Sequence, residues 1–346
     1  MKSRVEVYAG TAGHSVWFSD DVGEKFVHPN SHSGMYLEAR AWCFSSHLKQ
    51  PQFLLCGTDM GLFQWDENLT RWKLLDSPMQ DVWALAQAPD NPSIIFAGSR
   101  PAELYRSIDA GLTWGKIDIL GLASFSKINM GPTRFTQILY DPIDTGMMWA
   151  TVEIGGIFKS IDDGATWEEV SNGLISIDVH GICVTQIPNG TKIIYATTNQ
   201  GLHRSTDNGA NWEFVLLDSP WQYTRAIAIQ KDDPSTIWLC NGNGPPGNNG
   251  KLLKSSDYGY TWTEVNLPQS LNSTPWCIAM HESNARLLFL CTNLGQLFKS
   301  IDKGITWEKL PHEFGELRAL HWRTTEYSDD RPPHSMTIRR PPPTQS

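Results

Sequence analysis

Short apolar stretches along this chain alternate with Gly, Pro, Asn and Asp punctuation, and no stretch carries the 3.6-residue period of a helix. Residues 81–117 show the unit. DVWALAQAP is one run, ended by the turn signal DNPS; SIIFAGS is a second, ELYRS a third and TWGKI a fourth. Four short runs rich in β-branched and aromatic residues, each closed by turn chemistry, predict one antiparallel four-stranded meander. The second run recurs as FLLCGT, GMMWAT, KIIYATT, TIWLCN and RLLFLCT, and the third as GLFQW, GIFKS, GLHRS, LLKSS and QLFKS.

Between the third and fourth runs stands a repeated phrase, Ser-x-Asp-x-Gly-x-Thr-Trp. It reads RSIDAGLTW at 106–114, KSIDDGATW at 159–167, RSTDNGANW at 204–212, KSSDYGYTW at 254–262 and KSIDKGITW at 299–307. A worn copy keeps Ser19, Asp21, Gly23 and Phe26; another keeps Glu67, Arg71 and Trp72. The closing aromatics Phe26, Trp72, Trp114, Trp167, Trp212, Trp262 and Trp307 lie 42 to 53 residues apart. A period of that length is the mark of a repeat architecture. Four strands per period around an axis predict an all-β, seven-bladed propeller of antiparallel blades. The first stretch (VEVYAGT, SVWFS, then the 19–26 turn) supplies second, third and fourth strands with no first. ELRALHW at 316–322 is a first strand with no successor. Pairing the two completes one blade and closes the ring, which removes the exposed sheet edges. Residues 1–323 thus read as one propeller, and the Pro-rich 324–346 as a disordered tail.

Composition changes this picture little. Only 19% of residues are charged, and there are 15 Trp, as packed sheets require. The net charge of −9 with no basic stripe argues against nucleic acid as a partner. No secretory signal and no membrane span are legible. The six cysteines sit in apolar runs without a CxxC pair, which leads us to expect a soluble monomer in the cytoplasm. Cys43/Cys56 and Cys277/Cys291 are spaced so as to face each other across neighbouring strands, which leaves disulfides open.

The aspartates Asp21, Asp109, Asp162, Asp207, Asp257 and Asp302 invite a catalytic or calcium reading. Their setting predicts otherwise: each precedes by two residues a Gly able to take positive φ, so its carboxylate is placed to cap turn N–H groups. The phrase resembles the Asp-box, or BNR repeat, and the chain is similar to the Asp-box β-propeller superfamily. That superfamily includes sialidases, xyloglucan-cleaving glycosidases, sortilin-type receptors and the photosystem II assembly factor propeller. The resemblance implies a propeller whose Asp-boxes lie on the face opposite the binding site; it implies no one activity.

A site is therefore expected at the mouth of the central channel. The opening positions of the seven first strands read Trp42, Trp83, Arg134, His180, Arg225, Trp276 and Arg318. Arg offers bidentate contacts to carboxylate, sulfate or phosphate, and Trp a stacking face for rings. Glu38, Asp81, Glu153, Asp178 and Glu316 are close enough in sequence to pair with these arginines, and Glu38, Asp81, Glu153 and Glu316, with His180, are the candidates for acid and base. Arg134, Arg225 and Arg318 imitate the arginine triad that the sialidase resemblance implies, but the Arg-Ile-Pro sequence of that family is missing. His28 and His32 share one loop, and with His14, His180 and His312 on the same face three histidines and a carboxylate could hold a metal; loop histidines are usually solvated, so no metal is expected. No Gly-rich loop precedes a helix, and no cofactor is expected. Two functions stand against each other: a module binding a small-molecule, carbohydrate or protein ligand at the loop face, and a glycosidase or other hydrolase or lyase using the funnel carboxylates and His180.

Overall fold

The computed structural model describes residues 2–126 and 131–327 and is built of strands and turns alone. Among these residues no helix is long and apolar enough to cross a membrane. Six antiparallel four-stranded blades follow one another, each ordered from hub to rim as it occurs in the chain. Their inner strands are Ala41–His47, Val82–Ala88, Arg134–Tyr140, Val179–Gln186, Tyr223–Gln230 and Pro275–Met280. The seventh blade joins the two ends. Leu317–Tyr327 is its inner strand, Lys2–Thr11 pairs antiparallel beside it, and Val16–Ser19 follows. A Phe18–Val27 bridge stands where the fourth strand would be. The closing strand runs four residues beyond the 323 boundary expected from sequence. The rest of the expected tail, 328–346, lies outside the described residues.

The Ser-Asp-Gly-Trp turns fasten each blade internally. In the fourth-strand turn at 160–167, Ser160 Oγ donates to Asp162 Oδ1 at 2.8 Å and accepts the Gly164 N–H at 2.9 Å. Asp162 also accepts the Thr166 N–H at 2.8 Å and its hydroxyl at 2.6 Å. The same pattern holds around Asp109, Asp257 and Asp302, and around Asp207 with Asn211 in place of Thr. Asp21 keeps the Ser19 hydroxyl and the Lys25 N–H. The threonine hydroxyl first, then the turn N–H, holds Asp109, Asp162 and Asp302 down at about 2. A carboxyl with a folded value below its unfolded one stabilises above the unfolded value, and loses that contribution as pH falls through the folded one. The propeller is therefore expected to weaken between about pH 4 and pH 2. Thermal melts across that range check it; a melting temperature flat down to pH 2 contradicts it.

The turns also lock blade to blade. The motif Gly is left-handed, and so is the residue before it: Val22, Ala110, Asp163, Asn208, Tyr258 and Lys303 all have φ between 55° and 64°. This two-residue reversal swings the Gly against the second-strand aromatic of the preceding blade. A Cβ on Gly304 would stand 2.2 Å from the Trp238 ring, one on Gly259 2.4 Å from Tyr195, one on Gly164 2.5 Å from Phe96 and one on Gly209 2.9 Å from Trp149. Only glycine fits there. The recurring aromatic of the second strand is thus the surface on which the next blade's turn rests.

Candidate functional site

Strand direction sets the geometry of the two faces. First strands run towards the face that carries the Asp turns, so their opening residues lie on the other face, beside the loops between second and third strands. At that mouth lies a cavity of about 240 Å³. Its lining includes Trp42, Trp83, His180, Arg225, Trp276 and Arg318. These six residues were all named from sequence. The register explains how they come to face the axis. The pairing slips between Ala41 and Cys43, between Val82 and Ala84, between Val179 and Gly181, between Thr224 and Ile227, and between Pro275 and Cys277. A β-bulge of this kind frees one residue from the ladder and re-aims its side chain. In the seventh blade the slip, between Gly10 and Thr11, frees Arg318.

Arg134 departs from the expectation. Its strand slips between Phe135 and Gln137, so Thr136 takes the equivalent place and lines the cavity. Arg134 stays in the ladder opposite Glu153 and pairs with it, its guanidinium 4.1 Å above the Trp83 ring. Burial, against the Glu153 charge and with Arg225 and Arg318 adding to it, lowers the Arg134 pKa.

The walls are organised as two aromatic–cationic groups. On one side Trp42 and Trp83 stack with ring centroids 4.0 Å apart and planes 14° from parallel. Trp42 Nε1 donates to Asp81 Oδ1 at 2.7 Å. Burial raises the Asp81 carboxyl, against the pull of the indole donors and Arg100. On the other side Arg225 lies 3.9 Å and Arg318 4.8 Å from the Trp276 ring centroid. Arg318 is paired with Glu316. Arg225 has no carboxylate partner among the described residues. Beside it the buried Tyr223 hydroxyl finds no hydrogen-bond partner there. His180 is buried, with Nδ1 2.6 Å from the Thr224 carbonyl and Nε2 3.4 Å from Asp178 Oδ1. Burial and then the Arg225 charge lower its pKa, against Asp178 and the Thr224 carbonyl.

The remaining candidates separate from this site. Glu38 is exposed on its loop. Glu153 and Glu316 are each committed to an arginine. His28 and His312 pack on the Trp17 ring at 4.4 and 4.9 Å, away from His180. Sequence reasoning missed Thr136, Cys43 and Cys277 as cavity residues. The cysteines read as core positions because they stand in apolar runs.

No family model matches the chain. The xyloglucanase Xgh74A of Acetivibrio thermocellus is 24% identical over 315 residues, which is 76% of this chain and 37% of that protein. The chain thus spans little more than a third of the relative's length. The photosystem II assembly lipoprotein Ycf48 of Synechococcus sp. is 33% identical over 113 residues, or 32% of this chain and 31% of that one. Among solved structures, the GH74 enzyme of Niastella koreensis superposes with a TM-score of 0.61 at 21% identity, covering 78% of this chain and 45% of that one. YCF48 bound to D1 peptide superposes with a TM-score of 0.51 at 15% identity, covering 78% and 81%. At these identities the structural likeness is one of fold. It shows a propeller and nothing finer.

Proposed function

We propose that this propeller is a binding module whose channel mouth takes an anionic group, with a ring or planar group of the same ligand stacked on the indoles. The observation that carries this reading is Arg225. Its two neighbouring arginines each hold a carboxylate, whereas Arg225 lies on Trp276 with no carboxylate partner among the described residues and lines the cavity. A guanidinium held over an indole face leaves N–H donors at its edge for a ligand. The buried His180 and Tyr223 flank it as further polar contacts. The sequence relative Ycf48, whose structure is described as bound to a D1 peptide, makes a peptide carboxylate a reasonable first probe.

A titration of a short peptide ending in a free carboxylate, against the same peptide amidated, tests it. The free acid is expected to bind and the amide to bind more weakly. Arg225→Ala is expected to cost about 1.5–3 kcal/mol of affinity, the worth of a charged hydrogen bond, or roughly ten- to hundredfold. Its thermal stability is expected to stay near that of the parent. Equal binding of acid and amide, unchanged by Arg225→Ala, would sink the reading.

A hydrolase reading has one observation in its favour. Asp81 is a carboxyl raised by burial beside the Trp42–Trp83 stack, as a general acid beside a sugar platform would be. Curated relatives that are xyloglucanases agree with it. Two of the other candidate carboxylates, Glu153 and Glu316, are held by arginines, which counts against the pair such chemistry needs. Release of reducing ends from xyloglucan, abolished by Asp81→Asn, would replace the binding module by the enzyme.

A further inference from the structure

Two cysteines of the sixth blade stand apart from the other four. Cys277 follows the bulge residue Trp276 on the inner strand and lines the axial cavity. In the ladder it is the direct partner of Cys291 on the second strand. Directly opposed residues of antiparallel strands project to the same face, with Cα atoms about 4.5–5.5 Å apart. That is within the span a disulfide bridges. The Cys43/Cys56 pair, which sequence spacing made equally eligible, fails this test. Cys43 is opposite Gly57, and Cys56 is opposite Phe44, so the two thiols leave opposite faces of the sheet.

We propose that Cys277 and Cys291 form a peroxide-addressable dithiol set into the wall of the axial cavity, with Cys277 the attacking and Cys291 the resolving thiol. Access is one argument. Cys277 keeps some exposure to the cavity, whereas Cys291 is fully buried behind it. Charge is the second. Cys277 lies among Arg225, Arg318 and the Cys291 S–H, all of which favour a thiolate. The adjoining Cys291 thiol is the largest of these influences, and together they bring the Cys277 pKa below its ordinary value despite burial and although its S–H donates to the Arg318 carbonyl at 3.5 Å. Cys43 lines the same cavity with no such neighbours, and burial pushes it up to about 12. One cavity therefore holds a reactive thiol and an inert one.

The chemistry balances with a hydroperoxide as oxidant. The Cys277 thiolate attacks the distal oxygen of hydrogen peroxide. An S–O bond forms, the O–O bond breaks, and hydroxide leaves and takes a proton as water. Cys291 sulfur then attacks the Cys277 sulfenic acid. The S–S bond forms, the S–O bond breaks, and the departing hydroxide takes the Cys291 proton. Two thiols lose two electrons, and one peroxide becomes two waters.

The experiment treats the native protein with hydrogen peroxide, denatures it, blocks free thiols with N-ethylmaleimide and maps tryptic peptides by mass. The expected product joins the Cys277 peptide to the Cys291 peptide with loss of two hydrogens, and dithiothreitol reverses it. Without peroxide, native Cys277 is expected to react with N-ethylmaleimide at least about tenfold faster than Cys43. In Cys291→Ser the peroxide product is expected to stop at the sulfenic acid, captured on Cys277 by dimedone. Retention of an alkylatable Cys277 after peroxide in the unmodified sequence overturns the proposal. So does labelling of Cys43 as fast as Cys277. These readouts need no anionic ligand, so they stand or fall apart from the binding function.

Discussion

Arg323→Ala is expected to cost about 3 kcal/mol of stability and to loosen the seam where the two ends of the chain meet. The side chain is fully buried. Its Nε and one terminal nitrogen donate to Glu6 Oε2 at 3.0 and 2.8 Å, and the latter nitrogen also reaches Tyr8 Oη at 3.1 Å and Glu67 Oε1 at 2.9 Å. The other terminal nitrogen meets the Pro51 carbonyl. Glu6 is the register partner of Arg323 across the closing ladder, whereas Pro51 and Glu67 belong to the first full blade. One guanidinium thus ties the inner strand of the closing blade both to its neighbour strand and to the next blade. Removing it leaves a buried carboxylate and a void. The loss stays at the low end for broken buried pairs, because Arg4 and the Tyr8 hydroxyl still face Glu6. Replacing both partners, in Arg323→Met with Glu6→Met, removes the central pair and fills the space, while Tyr8, Arg4 and Glu67 each lose a partner, and is expected to cost less than Arg323→Ala. Denaturant midpoints at constant m-value give both numbers. A loss under about 1 kcal/mol for Arg323→Ala would show that the cluster does not hold the seam.

The second large effect concerns Trp238. It is fully buried, its Nε1 donates to Gln230 Oε1 at 3.1 Å, and its ring meets Trp307 edge-on at 6.1 Å. The Gly304 backbone of the next blade presses on the same ring. Trp238→Ala is expected to cost about 3–5 kcal/mol, the range for an emptied aromatic site. Gly304→Ala destabilises from the other side, by forcing a methyl into the ring and by placing a Cβ at positive φ. The methyl of one change enters the space vacated by the other, so the double variant should be less damaging than the two losses added. Simple additivity in that cycle would mean the turn and the ring do not bear on each other.

These two positions mark where reading the sequence succeeds and where it stops. Blade number, strand order and ring closure were legible because each blade repeats one strong phrase at one place, and because the apolar runs at the two ends each lack what the other supplies. Six of the seven channel residues were legible for the same reason. Thr136 was not, since a bulge inserts a residue without any fixed composition and displaces the alignment of Arg134. Asp81 was eligible only by position; its burial beside Trp42 depends on the neighbouring blade. The 324–327 stretch of the closing strand read as tail because Thr-Thr-Glu-Tyr lacks an apolar run. At this seam buried ion pairs replace the apolar packing that marks a strand elsewhere. The Trp238–Gly304 contact joins residues of different blades, and nothing in either one alone announces it.

Closure has a consequence for how the protein is made. Lys2–Thr11 is synthesised before its partner Leu317–Tyr327, which follows about 300 residues later. At roughly 10 residues per second, a β-strand with an unpaired edge waits on the order of half a minute. During that interval Glu6 has no Arg323 to neutralise it. The charge that is costly to bury in the finished ring then keeps the waiting strand hydrated and unwelcome to other edges.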